Sequence, residues 1–158
     1  MLTVERSFDY DKVIRWIVND PKVYPHISDD NSPRREDWRA VQSEDIWYIV
    51  VRLKGVKAGV FTFIPQNSIC YEVHTCLLPI IYGERAIEAG RMARMWMFDF
   101  SPCRRIITNV PEYNRLALHY AMHCGMKEFG VNPKSYLKHG VLHDQIMLGI
   151  SKENGSCH

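Results

Sequence analysis

The fold is decided by residues 109–126, which read NVPEYNRLALHYAMHCGM. An apolar strand, Ile106–Val110, precedes this stretch, and Pro111 ends it because proline has no N–H to donate to a sheet. Asn114 is a favourable N-cap, and apolar residues then recur at helical spacing as far as Gly125, a residue type that commonly follows a helix C-terminus. The pattern predicts a strand that leads directly into an Asn-capped helix.

A second strand-to-helix junction lies at residues 77–86, LLPIIYGERA. Apolar runs separated by turn residues over 46–78 predict a three-stranded antiparallel meander, and three- and four-residue apolar spacing over 86–100 predicts a long helix. If the two strands are neighbours, both helix N-termini face one edge of the sheet, where splayed strand ends would leave an anion-binding slot. Gly83 would let a phosphate approach the backbone. Taken alone, each junction is equally what an ordinary helix cap produces.

The remaining segments complete one predicted domain spanning residues 1–158. Leu2–Val4 is predicted as a strand, Asp9 as the cap of a helix reaching Val18, and Pro33 as the start of a short helix. Near the end, Met126–Val131 and Gln145–Ile150 are predicted strands joined by a loop over 132–143. The order β-α-(α)-βββ-α-β-α-β-β predicts an α+β fold with a mixed, mostly antiparallel sheet and helices on both faces.

Composition excludes several classes of protein. A chain of 158 residues with 46% hydrophobic residues can bury an ordinary core, and a net charge of +2 gives no sign of a nucleic-acid-binding face. The longest uncharged stretch, Ala58–Tyr71, contains Pro65 and Asn67, so it is not a membrane span. An odd number of cysteines without a Cys-x-x-Cys pair indicates free thiols in a reducing cytoplasm; these are Cys70, Cys76, Cys103, Cys124 and Cys157.

Taken together, these stretches resemble the GCN5-related N-acetyltransferase (GNAT) superfamily over nearly the whole chain. Asn114, Ala117 and Gly125 match the family pattern N-x-x-A-x-x-x-x-x-x-x-G before a strand. Pro79 and Gly83 match P-x-x-x-G before a long helix.

The last part of the chain resembles two groups within that superfamily. Lys138, Gly140 and Asp144 match the K-x-G-x-x-x-D entry to the last strand that is typical of relatives of the ribosomal-protein N-terminal acetyltransferases. The run from Trp96 onward is most similar to small acetyltransferase-like proteins of tailed phages, some of which are associated with head assembly.

The resemblance implies an acyl-CoA N-acyltransferase fold in which acetyl-CoA occupies a slot between splayed fourth and fifth strands. A backbone N–H near Leu77 would polarise the thioester carbonyl. The residues expected to contact the cofactor are Thr75, Cys76 and Leu77 along the strand, Tyr82, Gly83, Glu84, Arg85 and Ala86 at the pyrophosphate, and Asn114 and Ala117 on the second helix.

Three positions depart from the family pattern. In the motif Q/R-x-x-G-x-G/A the first position is Ile80 and the last is Arg85, which would either grip a phosphate or narrow the site. The family's general-acid tyrosine position holds Ala121. Tyr120 lies one residue earlier, which turns it by about 100° around a helix, so a core role is favoured over that of an acid.

A general base is needed to remove a proton from the acceptor ammonium before the amine attacks. Glu72 and His74 lie two apart on one predicted strand and so share a face, which makes both candidates; the alternative is a polar pair on a half-exposed sheet. Direct transfer needs no covalent intermediate, so Cys70 and Cys76 are interpreted as buried apolar residues. His119 and His123 have zinc-like spacing but no third ligand, and no metal is expected.

The function expected from the resemblance is transfer of an acetyl group from acetyl-CoA to a primary amine: a protein N-terminus, a lysine or a small molecule. The alternatives are a catalytically decayed structural or head-assembly protein of a phage, and a module that binds CoA without turnover. The expected location is the cytoplasm, or the host cytoplasm or virion for a phage protein. A homodimer and virion proteins are the partners considered, and neither nucleic acid nor membrane is expected.

Overall fold

The computed structural model describes residues 1–153, so Cys157 lies outside the described residues. Its seven strands form one sheet in the order β1-β2-β3-β4-β5-β7-β6. The described neighbours are antiparallel except β4 and β5, which are parallel. The strands are β1 Leu2–Arg6, β2 Trp47–Leu53, β3 Val56–Pro65, β4 Cys70–Leu77, β5 Arg105–Pro111, β6 Lys127–Lys138 and β7 Val141–Ser151. The predicted mixed, mostly antiparallel sheet is confirmed.

Helices cover both faces of this sheet, as the sequence predicts. A π-helical turn, Tyr10–Arg15, runs into α1, and single 3-10 turns occupy Arg35–Asp37 and Pro79–Ile81. The α-helices are α1 Trp16–Val18, α2 Tyr24–Ile27, α3 Glu84–Phe100 and α4 Arg115–His123. No helix within residues 1–153 is long and apolar enough to cross a membrane.

The core consists of two layers separated by the sheet. Alternation along β2 sends Ile49 and Val51 toward α3 and α4, whereas Val50 packs with the residues of α1 and α2. All three are completely buried. On α3 the inward residues Ala89, Ala93 and Met97 are also completely buried, at the spacing of one helical face. Because both faces are covered, the sheet edges and the fork between β4 and β5 remain as the places where a ligand can enter.

Gly90 marks the closest approach of α3 and α4. A Cβ placed on it would lie 2.6 Å from the Tyr120 hydroxyl and 2.7 Å from the Cys124 sulfur. That hydroxyl is fixed, since it donates to the Ala86 carbonyl on α3 at 2.6 Å. Glycine is therefore required by packing, although it is a poor residue inside a helix.

Gly90→Ala is expected to destabilise the protein by about 1–2 kcal/mol, because overpacking outweighs the ~1 kcal/mol gain in helix propensity. Urea unfolding of the single variants and of Gly90→Ala/Tyr120→Phe measures this. The cost of Gly90→Ala should be smaller in the Tyr120→Phe background, which lacks the atom it meets first. Stabilisation by Gly90→Ala, as at an open helix position, would contradict the contact.

One expectation about the irregular parts is wrong. The loop predicted over 132–143 is largely strand, since β6 runs to Lys138 and β7 starts at Val141. His139 and Gly140 form the turn, with φ values of 52° and 74° that suit a two-residue hairpin. Pro25 occupies the first turn of α2, where its missing N–H costs nothing.

Candidate active site

The site begins where β4 and β5 separate. Their parallel pairing lasts for three residue pairs, from Cys70 with Arg105 to Glu72 with Ile107. The next bond to the main chain across the gap runs from the Thr108 hydroxyl to the Val73 carbonyl at 3.2 Å, beside a side-chain bond from Asn109 to Glu72. Beyond it the strands diverge around a cavity of about 520 Å³ that is lined by both strands and by α3 and α4. The slot predicted between these strands is therefore present.

Backbone direction along β4 decides which predicted residues can pair with a ligand in the slot. The Leu78 N–H donates to Ala58, and Cys70 accepts from Gln66, so even-numbered residues of β4 bond to β3. Thr75 and Leu77 consequently turn their backbone groups toward the slot.

Cys76 does not fit the cofactor role expected for it. Its backbone belongs to the ladder with β3, where it pairs with Val60. Its side chain is buried, and burial raises the pKa of the thiol to about 12. This supports the interpretation of Cys76 as a small apolar residue of the core.

The N-terminus of α3 offers backbone donors at the mouth of the slot. Two of the five expected N–H groups already have partners: that of Tyr82 donates to Pro79 and that of Ala86 to Gly83. Within residues 1–153 no bond is formed by the N–H groups of Gly83, Glu84 and Arg85. These three amides at the positive end of a 17-residue helix suit an anion.

The loop before α3 is open. Gly83 has φ 99° and ψ −145°, and a Cβ on it would meet nothing within 4 Å. The side chain of Arg85 is exposed and does not narrow the site, which was one of the two outcomes considered for it. Its guanidinium is therefore available to a phosphate beside the three amides.

The N-terminus of α4 lines the opposite side of the slot. The Asn114 side chain accepts from the Ala117 N–H at 3.1 Å, which is an ordinary helix cap. This bond uses one of the two lone pairs of its side-chain oxygen and leaves the amide nitrogen without a partner among residues 1–153. Ala117 is half-buried and lines the cavity, where a larger residue would narrow it.

Tyr120 is held in the packing between α3 and α4. Its hydroxyl gives its proton to the Ala86 carbonyl, and burial raises its pKa well above the usual range. It lines the deep end of the cavity beside Gly90 and Cys124. The core role that its shifted position favoured is the one that the structure supports.

Glu72 and His74 lie at the fork, on the face of the sheet that α1 and α2 cover. The Nε2 of His74 is 3.6 Å from one carboxylate oxygen of Glu72. The amide of Asn109, on β5, donates to the other oxygen at 2.6 Å. His74, and to a lesser extent Asn109, lower the pKa of Glu72 against the opposing effect of its partial burial. Sequence reasoning missed Asn109, although a polar residue two positions beyond Ile107 shares its face of the sheet with Glu72.

The same face carries the wall of the cavity opposite the helix N-termini. Trp38, Tyr48 and Tyr136 contribute aromatic surface to it. Tyr48 is fixed by its hydroxyl, which donates to the Val41 carbonyl at 2.8 Å. The segments 23–38 and 132–138, the least regular in sequence, both reach this wall.

A contact between residues 25–30 and residues 136–140, here called the distal contact, closes one end of the wall. The Lys138 ammonium donates to the Pro25 carbonyl at 2.9 Å and also to the Ser28 carbonyl, which accepts from the Tyr136 hydroxyl as well. The Asp30 carboxylate accepts the N–H groups of both turn residues of the β6–β7 hairpin at 2.8 Å, and these bonds lower its pKa.

A mixed sheet whose one parallel pair opens around a cavity, with two helix N-termini at that opening, is the fold of the GCN5-related N-acetyltransferases. Solved structures of such enzymes superpose on nearly the whole chain. A chimera of the spermidine N-acetyltransferase SpeG from Vibrio cholerae and hSSAT gives a TM-score of 0.79 at 18% identity, with 95% of each chain covered. The Vibrio cholerae spermidine N-acetyltransferase in complex with CoA and spermine gives 0.75 at 17% identity over 95% of each chain.

A third solved structure extends the likeness. A putative phosphinothricin N-acetyltransferase gives a TM-score of 0.74 at 16% identity, covering 98% of this chain and 100% of that one. No family model and no curated protein matches the sequence. What this chain shares with these three structures is therefore the fold.

Proposed function

We propose that the protein is an N-acetyltransferase that moves an acetyl group from acetyl-CoA to a primary amine by direct attack. The observation that carries this proposal is the fork itself: β4 turns its backbone at Thr75 toward the cavity, and the three unbonded amides of α3 follow directly after the end of the same strand. Helix-terminal amides suit a pyrophosphate, and an unpaired strand edge suits the amide groups of a pantetheine arm.

The direction of the cofactor follows from this arrangement. With the phosphates at Gly83, Glu84 and Arg85, the arm would run back along β4 from Leu77 toward Val73, a span of about 13 Å at 3.3 Å per residue. The thioester would then lie near the fork. The N–H of Thr75 is accordingly a better donor to its carbonyl than the N–H of Leu77.

The chemistry needs a neutral amine next to that carbonyl. The Thr75 N–H would stabilise the negative charge that develops on the thioester oxygen. Glu72 and His74 lie at the same end of the slot, where one of them accepts the proton of the incoming ammonium. Bound acetyl-CoA supplies the activated acyl group, and the protein supplies orientation and proton acceptance.

The acceptor is a primary amine, and the site is compatible with several classes of amine. Two similar solved structures are named as spermidine N-acetyltransferases, which makes a polyamine one acceptor to test alongside a peptide N-terminus and a lysine side chain. The aromatic wall at Trp38, Tyr48 and Tyr136 suits the alkyl part of any of these.

Calorimetry with acetyl-CoA and CoA, followed by CoA-release assays over the three acceptor classes, tests the proposal. Binding with turnover of at least one amine is the expected result. Affinity without turnover would leave a CoA-binding module. No binding at millimolar cofactor would sink the proposal and favour the decayed structural protein, for which stoichiometric copurification with virions is the positive test.

A further inference from the structure

Three polar side chains form a row across the fork between β4 and β5. Asn109 on β5 donates to one oxygen of Glu72 at 2.6 Å, and the other oxygen lies 3.6 Å from the Nε2 of His74. The three share the face of the sheet that carries the aromatic wall, because Asn109 follows Ile107, the partner of Glu72, by two residues. The row therefore starts at the base of the fork and leads toward the cavity.

Exposure differs along the row. The side chain of Glu72 is 21% exposed, whereas that of His74 is 57% exposed. The Asn109 amide donates to one carboxylate oxygen of Glu72 and His74 lies beside the other, and both hold the pKa of Glu72 below its usual value, so a proton on Glu72 works against these contacts. The His74 ring turns Nε2 toward Glu72, and its Nδ1 has no partner within residues 1–153. An acceptor amine thus reaches the imidazole before it reaches the carboxylate.

We infer that His74 is the general base of the proposed reaction and that Glu72 and Asn109 are positioning residues that orient its ring and stabilise the charge it acquires. This inference rests on the acetyltransferase function proposed above, and it decides between the two candidates that the sequence left open. A carboxylate that orients an imidazole and stabilises its protonated form without itself becoming protonated is an established arrangement in catalysis.

The proton and bond changes balance without any further reagent. Nδ1 of His74 takes one proton from the acceptor ammonium and later releases it to water. The amine nitrogen forms a bond to the acetyl carbon, and the bond from that carbon to sulfur breaks. The nitrogen loses its second proton, which ends on the thiol of CoA. The products are the acetylated amine, CoA and one proton in solution.

Few ionisable groups stand near the imidazole. Glu72, on the same strand, is the one carboxylate within 4 Å of it among residues 1–153. Thr62, directly opposite on β3, does not titrate in this range, and Asn109 across the fork carries no charge. The other ionisable groups that line the same cavity are His26, Asp29, Arg39, Tyr48, Cys76, Arg94, Tyr120, Cys124 and Tyr136.

Kinetics of three variants test these roles. His74→Ala is expected to lower kcat on the order of 10²–10⁴-fold, with partial rescue by added imidazole. Glu72→Gln and Asn109→Ala should each lower kcat by on the order of 10-fold, since they loosen the ring without removing it. His119→Ala, at an exposed position on α4, is the matched control and should behave as wild type.

A second readout needs no turnover. NMR titration of the Glu72 carboxyl carbon is expected to show that His74→Gln and Asn109→Ala each raise its pKa, because each removes a group that lowers it. An unchanged midpoint in both variants would show that His74 and Asn109 do not contact Glu72 in solution, and the inference would be overturned.

The kinetic outcomes separate this inference from the proposed function. If His74→Ala keeps kcat within about threefold of wild type while Glu72→Gln abolishes turnover, Glu72 is the base and the inference is overturned, although the acetyltransferase proposal stands. If wild type transfers acetyl to none of the amines, the proposed function fails and the roles assigned here fail with it.

Discussion

Replacing Gly83 with valine is expected to weaken CoA binding by on the order of 10–100-fold while the sheet stays folded, because one or two charge-assisted hydrogen bonds to phosphate are lost. With φ 99° and ψ −145°, Gly83 adopts a backbone conformation that is essentially restricted to glycine. A Cβ there would meet no neighbour within 4 Å, so the effect arises from the backbone and not from crowding. Relief of the strain would turn the amides of Gly83 and Glu84 away from the phosphates.

Gly55→Val is the matched control for this prediction. Gly55 also has a positive φ, 80°, and open space around its Cβ position, but it lies in the β2–β3 turn. Both substitutions should cost about 1–3 kcal/mol of stability from backbone strain. Calorimetry with CoA then compares the two variants. Equal loss of affinity, or none in Gly83→Val, would show that the loop before α3 does not hold the phosphates.

Ile49→Ala is expected to lower the free energy of unfolding by about 2–5 kcal/mol, which for many domains is a large part of the total. Ile49 is completely buried at the centre of β2, between Arg6 of β1 and Phe61 of β3. It does not line the cavity, so the void left by truncation stays closed and loses both hydrophobic and packing contributions. Urea unfolding at constant pH gives the difference.

Ile69→Ala is the matched control, because it removes the same atoms from an isoleucine at an exposed position. Ile69 is 44% exposed and precedes β4, so removing the same atoms should change stability by about 0.5 kcal/mol or less. Near-equal costs at the two positions would mean that the sheet around Ile49 can collapse into the void. CoA binding by the Ile49→Ala protein, measured well below its unfolding temperature, should remain close to wild type.

The parts of the fold that sequence predicts well are those encoded by local pattern. In the meander over 46–78, largely apolar runs are separated by turn signals, and β2, β3 and β4 lie within it. The helix spacing after Gly83 and the Asn114 cap likewise depend on residues within one or two turns of each other. In these segments the local preference and the buried face agree, which is why the predicted elements are observed.

The sequence predicts both strands of the C-terminal hairpin but not their full length, because the signal over 132–143 is not local. Residues 127–138 include Gly130, Asn132 and Pro133, which favour a turn in isolation. They are tolerated in β6 because it is an edge strand with bulges, and a proline on an edge need not donate to a neighbour.

Within the site, the sequence predicts the helix end that follows Gly83 and the Glu72–His74 pair. It does not predict which atoms of these residues form the contacts. The partner of Glu72, Asn109, lies 37 residues away and is brought to it by the parallel pairing. The division of β4 into residues that bond to β3 and residues that face the slot depends on register, and the sequence alone does not fix the register of two paired strands.

The distal contact has a consequence for the order in which the molecule is completed. Its bonds join residues 108–113 positions apart, whereas the cofactor side of the slot is formed mainly by residues 70–117. Closing so long a chain segment costs entropy that local pairings avoid. During synthesis on the ribosome, the wall formed by Trp38, Tyr48 and Tyr136 therefore cannot be closed until residues 136–140 have been made, and β5 gains its partner β7 only with the residues that follow.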